Sequence, residues 1–81
     1  MKITEELIEK LANIEHQRWA HWQKYIHSVC VKNDNGTLTI PEWAVIGWGK
    51  QINTNYEDLT KKEKDSDREQ VYKYLKILEN L

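Results

Sequence analysis

The sequence has no phenylalanine, one cysteine, one proline and three glycines among its 81 residues. The single Cys30 excludes an internal disulfide framework and cannot by itself form a cysteine zinc site. The net charge of −1 excludes the strongly basic surface with which proteins bind duplex nucleic acid. No hydrophobic run approaches the roughly 20 residues of a membrane span, and the first residues lack the pattern of a secretory signal. A cytoplasmic protein is therefore expected.

Aromatic residues with a polar group are abundant instead, as four tryptophans and four tyrosines. Such side chains are commoner at binding surfaces than in a purely structural core. The length fits a single domain over residues 1–81, and a domain this small is only marginally stable. Association with further copies of the chain would supplement that stability.

The order of apolar residues and capping signals predicts a mainly α fold of three helices, with a short β-hairpin between the first two. The first helix is expected over about residues 4–27, with Thr4 as its N-cap. Its apolar stripe has Glu15 at the centre and consists of Ile8, Leu11, Ala12, Trp19, Trp22 and Ile26.

Two short β-rich runs around Asn35-Gly36 predict the hairpin over about residues 29–40, because these residues accept the positive φ of tight turns. The alternative is an irregular loop. The second helix is expected over about residues 41–51, with a capping box formed by Thr39 and Glu42 and with Pro41 in the first turn. Trp43 and Ile46 share one face of this helix, whereas Trp48 points elsewhere.

The third helix is expected over about residues 61–80 and begins with a capping box of Thr60 and Glu63. Val71, Tyr74, Leu75 and Leu78 form its apolar stripe, and Lys64, Asp67 and Arg68 continue that stripe toward the N-terminus.

A carboxylate that faces a core is costly unless it is paired, so Glu15 needs a partner. The first and third helices are therefore expected to pack antiparallel, with Glu15 meeting Arg68 or Lys64. This contact could be a buried bridge that only fixes the register of the two helices. It could also shape one wall of a polar cleft that holds a ligand.

Arg18, Trp19, Trp22 and Tyr25 adjoin the same stripe and could line that cleft. Tryptophan can stack on a flat heteroaromatic base, and arginine can contact a phosphate or a base edge. The alternative is that the tryptophans belong to the core.

A metal site or a cofactor is not expected. His16, His21 and His27 are separated by five and six residues, so their side chains diverge around a helix, and Cys30 adds no convergent ligand. Nothing near Cys30 predicts a lowered thiol pKa, and no glycine-rich phosphate loop or serine elbow is present. Enzymatic activity is therefore not expected.

Two segments resemble the RyR domain, which occurs as repeats in ryanodine receptors and as a stand-alone domain in bacterial and phage proteins. The first segment, Glu15-His16-Gln17-Arg18-Trp19, has the form E-H-x-x-W. The second has Y-x-x-L at residues 56–59 and E-K-x-x-D-R at residues 63–68. The resemblance covers most of residues 5–78 and is closest to small phage-encoded members. The G-W-x-Y-G segment of the receptor repeats is absent.

The resemblance implies that the protein binds a nucleotide-derived ligand without catalysis, as a phage sponge that sequesters a cyclic dinucleotide signal of bacterial antiviral defence. Trp19 and Trp22 would stack on bases, and Arg18 would contact phosphate or a base edge. The remaining pocket residues implied by the resemblance are Glu15, Asp67 and Arg68 as its frame, with Tyr56 and Lys64 at its rim.

Three further expectations stay open. The chain could be a protein interaction module whose partner surface includes Trp43, Trp48 and the tyrosines. It could be a small nucleotide hydrolase with Glu15 or His16 as the general base. A homo-oligomer with the ligand at or near the junction is expected, the alternative being a monomer with half-exposed tryptophans.

Overall fold

The computed structural model describes residues 2–80. The elements are α1 (Glu5–Val29), β1 (Val31–Lys32), β2 (Leu38–Thr39), α2 (Glu42–Ile52), a 3₁₀ turn (Tyr56–Asp58) and α3 (Lys61–Glu79). The expected mainly α fold, with three helices and a hairpin between the first two, is confirmed. None of the helices within these residues has the length and apolar character needed to cross a membrane.

Side-chain caps begin two of the three helices as predicted. The hydroxyl of Thr4 accepts the N–H of Leu7 at 3.1 Å. At α3, the hydroxyl of Thr60 accepts the N–H of Glu63 at 3.2 Å, and the Glu63 carboxylate accepts the N–H of Thr60 at 2.9 Å. These reciprocal bonds satisfy backbone donors that have no partner within the helix.

The capping box expected at Thr39 and Glu42 is wrong. The N-cap of α2 is Pro41, which makes no side-chain cap. Thr39 belongs to β2, and its hydroxyl accepts a hydrogen bond from the Asn33 side-chain amide at 3.0 Å. Pairing within the hairpin therefore turns this hydroxyl away from the start of α2.

The hairpin itself is confirmed in place of an irregular loop. Val31 pairs with Thr39 and Lys32 with Leu38 in antiparallel register. Gly36 has a φ of 86° and is the only residue within 2–80 with a positive φ. The turn thus needs one glycine, and Asn35 stays outside the left-handed region.

One direct contact and one series of contacts through α2 show that α3 runs antiparallel to α1. Near the middle of α1, the hydroxyl of Tyr74 donates to Glu15. Further along α1, Trp22 contacts Trp48 of α2 at 5.6 Å between ring centroids. Lys50, two residues beyond Trp48, lies close enough to Glu63 in the first turn of α3 to help lower the pKa of that carboxyl. As the residue number rises along α3, the number of the facing residue in α1 therefore falls.

Few side chains are fully enclosed. Among residues 2–80 the buried ones are Leu7, Cys30 and Ala44. In the first half of α1 the least exposed side chains are Leu7 and the half-buried Leu11 and Ile14, of which only Leu11 belongs to the predicted stripe. Ile8 and Trp19 of that stripe are exposed, and Glu15 is exposed with them. The expected placement of this stripe in the core is therefore wrong for Ile8, Ala12, Trp19 and Trp22, whereas Leu11 and Ile26 are half-buried.

The capping box of α3 supports a stability prediction. Replacing Thr60 by alanine should lower the free energy of unfolding by about 1 kcal/mol, because the Glu63 N–H loses its partner. Urea denaturation at one fixed protein concentration measures this. Ser66→Ala is the matched control, since Ser66 is exposed within α3. Equal midpoints for the two variants would show that the box does not stabilise the helix.

Candidate functional site

Glu15 connects α1 to α3 through a different partner from the one predicted. The Nε of Arg18 donates to both carboxylate oxygens of Glu15 at 3.1 Å, and its Nη2 donates as well. The hydroxyl of Tyr74 donates to the second oxygen. The expected contact of Glu15 with Arg68 or Lys64 is wrong, because Arg18 lies one turn away on the same helix and costs less chain ordering.

These contacts hold Glu15 ionised. The hydrogen bond from Arg18, and next the one from Tyr74, lower the pKa of Glu15 from 4.5 to about 2. In return Glu15 raises the pKa of Tyr74 above its usual 10 and also raises the pKa of Arg18. The Glu15 side chain is 52% exposed, so the buried bridge expected from the sequence is not formed. The result is an exposed, orientated Glu15–Arg18–Tyr74 triad.

The cations expected to meet Glu15 have partners near the start of α3. Arg68 donates to Asp65, one turn earlier, at 3.0 Å. The Nζ of Lys64 lies 5.7 Å from the ring centre of Tyr56. Asp65, and after it the nearby Tyr56, raise the pKa of Arg68. Tyr56 and Lys64, expected at the pocket rim, therefore lie close to Arg68, expected in its frame, whereas Asp67, also expected in the frame, is exposed on α3.

The tryptophans form a partly exposed cluster rather than a core. Trp22 lies between Tyr25, at 5.3 Å, and Trp48, at 5.6 Å between ring centroids. Trp43 meets Trp48 edge-on at 6.3 Å. Trp19 lies apart from them and stacks on His16 at 6.0 Å. Trp19 is 53% exposed, and Trp22 and Tyr25 are exposed as well, so the interpretation of these tryptophans as core residues is wrong.

Helix geometry places these groups on one side of the α1–α3 pair. Each residue of an α-helix is rotated by about 100° from the previous one. In an antiparallel pair of helices, the residue that follows a contact residue therefore points to the same side of the pair on both helices. Trp19 follows the half-buried Arg18 in this way, and Lys64 follows the half-buried Glu63. Trp22 and Arg68 lie on this side by the same rotation, whereas Trp48 is added because it contacts Trp22, and Tyr56 because it contacts Lys64. We call these six residues the aromatic face.

Two clefts lie elsewhere on the surface. One of about 460 Å³ runs between α1 and the hairpin and is lined by Lys24, His27 and Lys32 among others. Another of about 260 Å³ separates α2 from the start of α3 and includes Lys50 and Glu63. The residues predicted to bind ligand line neither cleft. Trp19, Trp22 and Tyr56 are each between 41% and 53% exposed, so a single protomer presents the aromatic face as an open surface.

The described residues offer little to metal or thiol chemistry. Within 2–80, no three His, Cys, Asp or Glu side chains lie close enough together to hold a metal ion. Cys30 is a free thiol that is buried at the end of α1. The chemistry available at the aromatic face is stacking, hydrogen bonding and ion pairing.

Sequence reasoning assigned no site role to Tyr74 and did not foresee its bond to Glu15. The signal was present, because Tyr74 is the one hydroxyl-bearing residue in the predicted apolar stripe of α3. Trp48 was assigned to a possible partner surface and not to the ligand cluster. The sequence already placed Trp48 on a different side of α2 from Trp43 and Ile46. That side is the one that contacts Trp22 of α1.

Comparisons of the chain with protein-family models, curated proteins and solved structures give no match. The resemblance to the RyR domain stays a prediction that depends on the two motifs.

Acid should weaken the contact between α1 and α3. Because the pKa of Glu15 is lowered to about 2, its contribution to stability is complete above about pH 4.5 and is lost as the pH falls toward 2. Urea midpoints measured across this window should fall less steeply for Glu15→Gln than for the wild-type chain. Glu63 and Asp65, whose pKa values are also lowered, account for the dependence that remains.

Glu9→Gln is the matched control for this experiment. Glu9 lies on the same helix and forms no hydrogen bond or ion pair with another side chain of residues 2–80. It should keep the wild-type slope. A wild-type slope for Glu15→Gln itself would show that the triad does not couple the two helices.

Proposed function

We propose that this protein binds a nucleotide-derived signalling molecule on the aromatic face and releases it chemically unchanged. The observation that carries the proposal is the gathering of exposed tryptophans and of cations from separate elements on one side of the molecule. The two RyR-like motifs supply the ligand class, and they contribute Trp19, Tyr56, Lys64 and Arg68 to this face.

Stacking supports a ligand with flat bases. Base–aromatic stacking contributes about 1–3 kcal/mol per base. Trp19 offers a largely exposed ring that is steadied on one side by His16. Trp22 is held by Tyr25 and Trp48 and keeps part of its ring accessible. Two separate platforms suit a ligand with two bases, which favours a cyclic dinucleotide.

The cations of the face support a ligand with phosphates. Lys64 is kept near the Tyr56 ring, and Arg68 is kept near it on the next turn of α3. Glu15 holds the Arg18 guanidinium in one orientation in the unbound protein. Little side-chain entropy is therefore lost when an Arg18 N–H that does not bond Glu15 contacts a phosphate or a base edge. With a net charge of −1, the chain attracts an anionic ligand through these local groups and not through an overall field.

Binding without catalysis is the simplest interpretation of the same groups. A carboxylate with a pKa of about 2 is a weak general base near neutral pH, which disfavours a hydrolase that uses Glu15. A protein that only sequesters its ligand needs affinity and copy number, and no catalytic group. The resemblance to small phage-encoded RyR domains supplies the setting that we propose, a sponge that removes a cyclic dinucleotide signal in the bacterial cytoplasm and so blunts antiviral defence.

Enclosure of the ligand calls for a second copy of the chain. Ligand sites normally surround most of a small molecule, whereas the aromatic face is open in one protomer. A homo-oligomer with the ligand at or near the junction would supply the missing wall. This part of the proposal follows from the size of the domain and the openness of the face.

The second candidate function is a protein interaction module. The exposed tryptophans and isoleucines of α2 favour it, because contiguous exposed apolar surface marks sites of protein contact. A module of this kind would bind its protein partner without a nucleotide.

A nucleotide panel tests the proposed function. Cyclic dinucleotides with two adenines, two guanines or one of each should raise the midpoint of thermal unfolding, with adenosine and guanosine monophosphates as controls. Denaturing the loaded protein should then return the ligand intact. Hydrolysis products would identify an enzyme, and a flat response to the whole panel would favour the interaction module.

Substitutions of single aromatic residues locate the ligand. Trp19→Ala should keep most of the stability, because its ring contacts one aromatic neighbour, and should lose about 1–3 kcal/mol of binding. Trp22→Ala should lose binding and also stability, since each aromatic pair contributes about 0.5–1.5 kcal/mol. Calorimetric titration with the panel ligand that gives the largest thermal shift measures both effects on binding.

Tyr72→Ala is the matched control, because Tyr72 is an exposed aromatic residue of α3 outside the aromatic face. It should bind as the wild-type chain does. Equal losses of affinity at Tyr72 and at Trp19 would contradict the assignment of the site.

A further inference from the structure

The outward side of α2 is apolar although it is exposed. Ala44 is buried and Trp48 is half-buried, so these two residues mark the side of α2 that faces the rest of the chain. On the opposite side Ile46 is 64% exposed, and Trp43 and Val45 are exposed with it. Exposed apolar side chains that are grouped on one side of a helix mark a surface for contact with another protein. Within residues 2–80 nothing covers this side of α2.

The chain exposes more surface than its mass requires. Its accessible surface is 7024 Å², whereas a folded monomer of 9.7 kDa exposes about 5,100 Å². Its radius of gyration is 16.5 Å, against about 12 Å for a compact domain of 81 residues. The excess of about 1,900 Å² is more than twice the roughly 800 Å² that each partner contributes to a stable interface of standard size. The excess accessible surface is therefore large enough for one interface with another copy of the chain.

The charges on this side of α2 make it complementary to itself. Glu42 lies four residues before Ile46, and Lys50, which also borders the cleft toward Glu63 of α3, lies four residues after it. Residues at this spacing share one face of a helix. When two copies of α2 pack antiparallel with Ile46 at the two-fold axis, Glu42 of each copy lies opposite Lys50 of the partner subunit. Such self-complementarity is the property of an isologous interface.

Glycines leave room for the approach of a second helix. A Cβ placed on Gly49, three residues after Ile46, would meet nothing within 4 Å, so the surface beside Ile46 is open there. Two helix backbones can approach more closely where such positions lack side chains.

We propose that a second copy of this chain packs antiparallel on the outward side of α2, in a two-fold contact centred on Ile46 with Glu42 and Lys50 paired across it. The contact uses none of the residues that define the aromatic face, so it is separate from the junction at which the proposed function places the ligand. It therefore holds whether or not the protein binds a nucleotide.

The mass in solution tests the proposal first. Sedimentation equilibrium of the wild-type chain without any nucleotide should give twice 9.7 kDa or a higher whole-number multiple. A mass of 9.7 kDa across the micromolar to millimolar range would overturn the proposal. A flat nucleotide panel would leave this result untouched, so failure of the two proposals can be told apart.

Charge reversal then tests the orientation. Glu42→Lys alone and Lys50→Glu alone would each place two pairs of like charges across the contact, which should weaken association roughly tenfold or more. An equimolar mixture of the two variants should regain wild-type association, because each copy then supplies the charge that the other needs. Glu57→Lys, an equal change at an exposed position outside α2, should associate as the wild-type chain does.

A mixture that associates no better than either variant alone would overturn the antiparallel contact. So would wild-type association of both single variants. Ile46→Ser changes no charge and should also weaken association. It tests the same contact if a charged variant lacks a helical circular dichroism spectrum and so does not fold. Wild-type association of Ile46→Ser would exclude this side of α2 as the interface.

Discussion

The rest of the structure depends on the narrow line along which α1 and α3 meet. Leu7, Leu11 and Ile14 occupy this line on α1, and residues one step further around the helix are already exposed. A helix of 25 residues carries more apolar side chains than one neighbouring helix can cover. The surplus stays on the surface as Ile8, Trp19 and the accessible part of Trp22. The same geometry that limits the core therefore produces the aromatic face.

Charged groups in this open arrangement pair locally. Arg18 bonds Glu15 and Arg68 bonds Asp65, in each case within one turn of a single helix. Exposed pairs of this kind contribute little to stability, but they fix the direction of a guanidinium. Among residues 2–80, the one hydrogen bond that joins side chains of α1 and α3 is the bond that the hydroxyl of Tyr74 donates to Glu15. The polar triad thus orientates α3 on α1 and prepares Arg18 for a ligand.

Features that depend on local chemistry could be predicted from the sequence. The caps at Thr4 and Thr60 and the glycine of the turn follow from neighbouring residues alone. Features that depend on the facing element could not. The helix α1 carries two adjacent apolar stripes, and only the position of α3 selects the one that contains Leu7 and Ile14. For the same reason Glu15 was assigned to a cation on α3, although its bond across the helices comes from Tyr74.

The most direct measurement of the central claim is a nucleotide titration followed by the indole N–H signals of the four tryptophans in ¹H–¹⁵N spectra. Binding of a cyclic dinucleotide on the aromatic face predicts large shifts for Trp19 and Trp22, a smaller shift for Trp48 and the smallest for Trp43. The same spectra contain the backbone N–H signals. Shifts confined to the backbone signals of the cleft between α1 and the hairpin, around Lys24 and Lys32, would contradict the account. Unchanged indole signals at saturating nucleotide would contradict it as well.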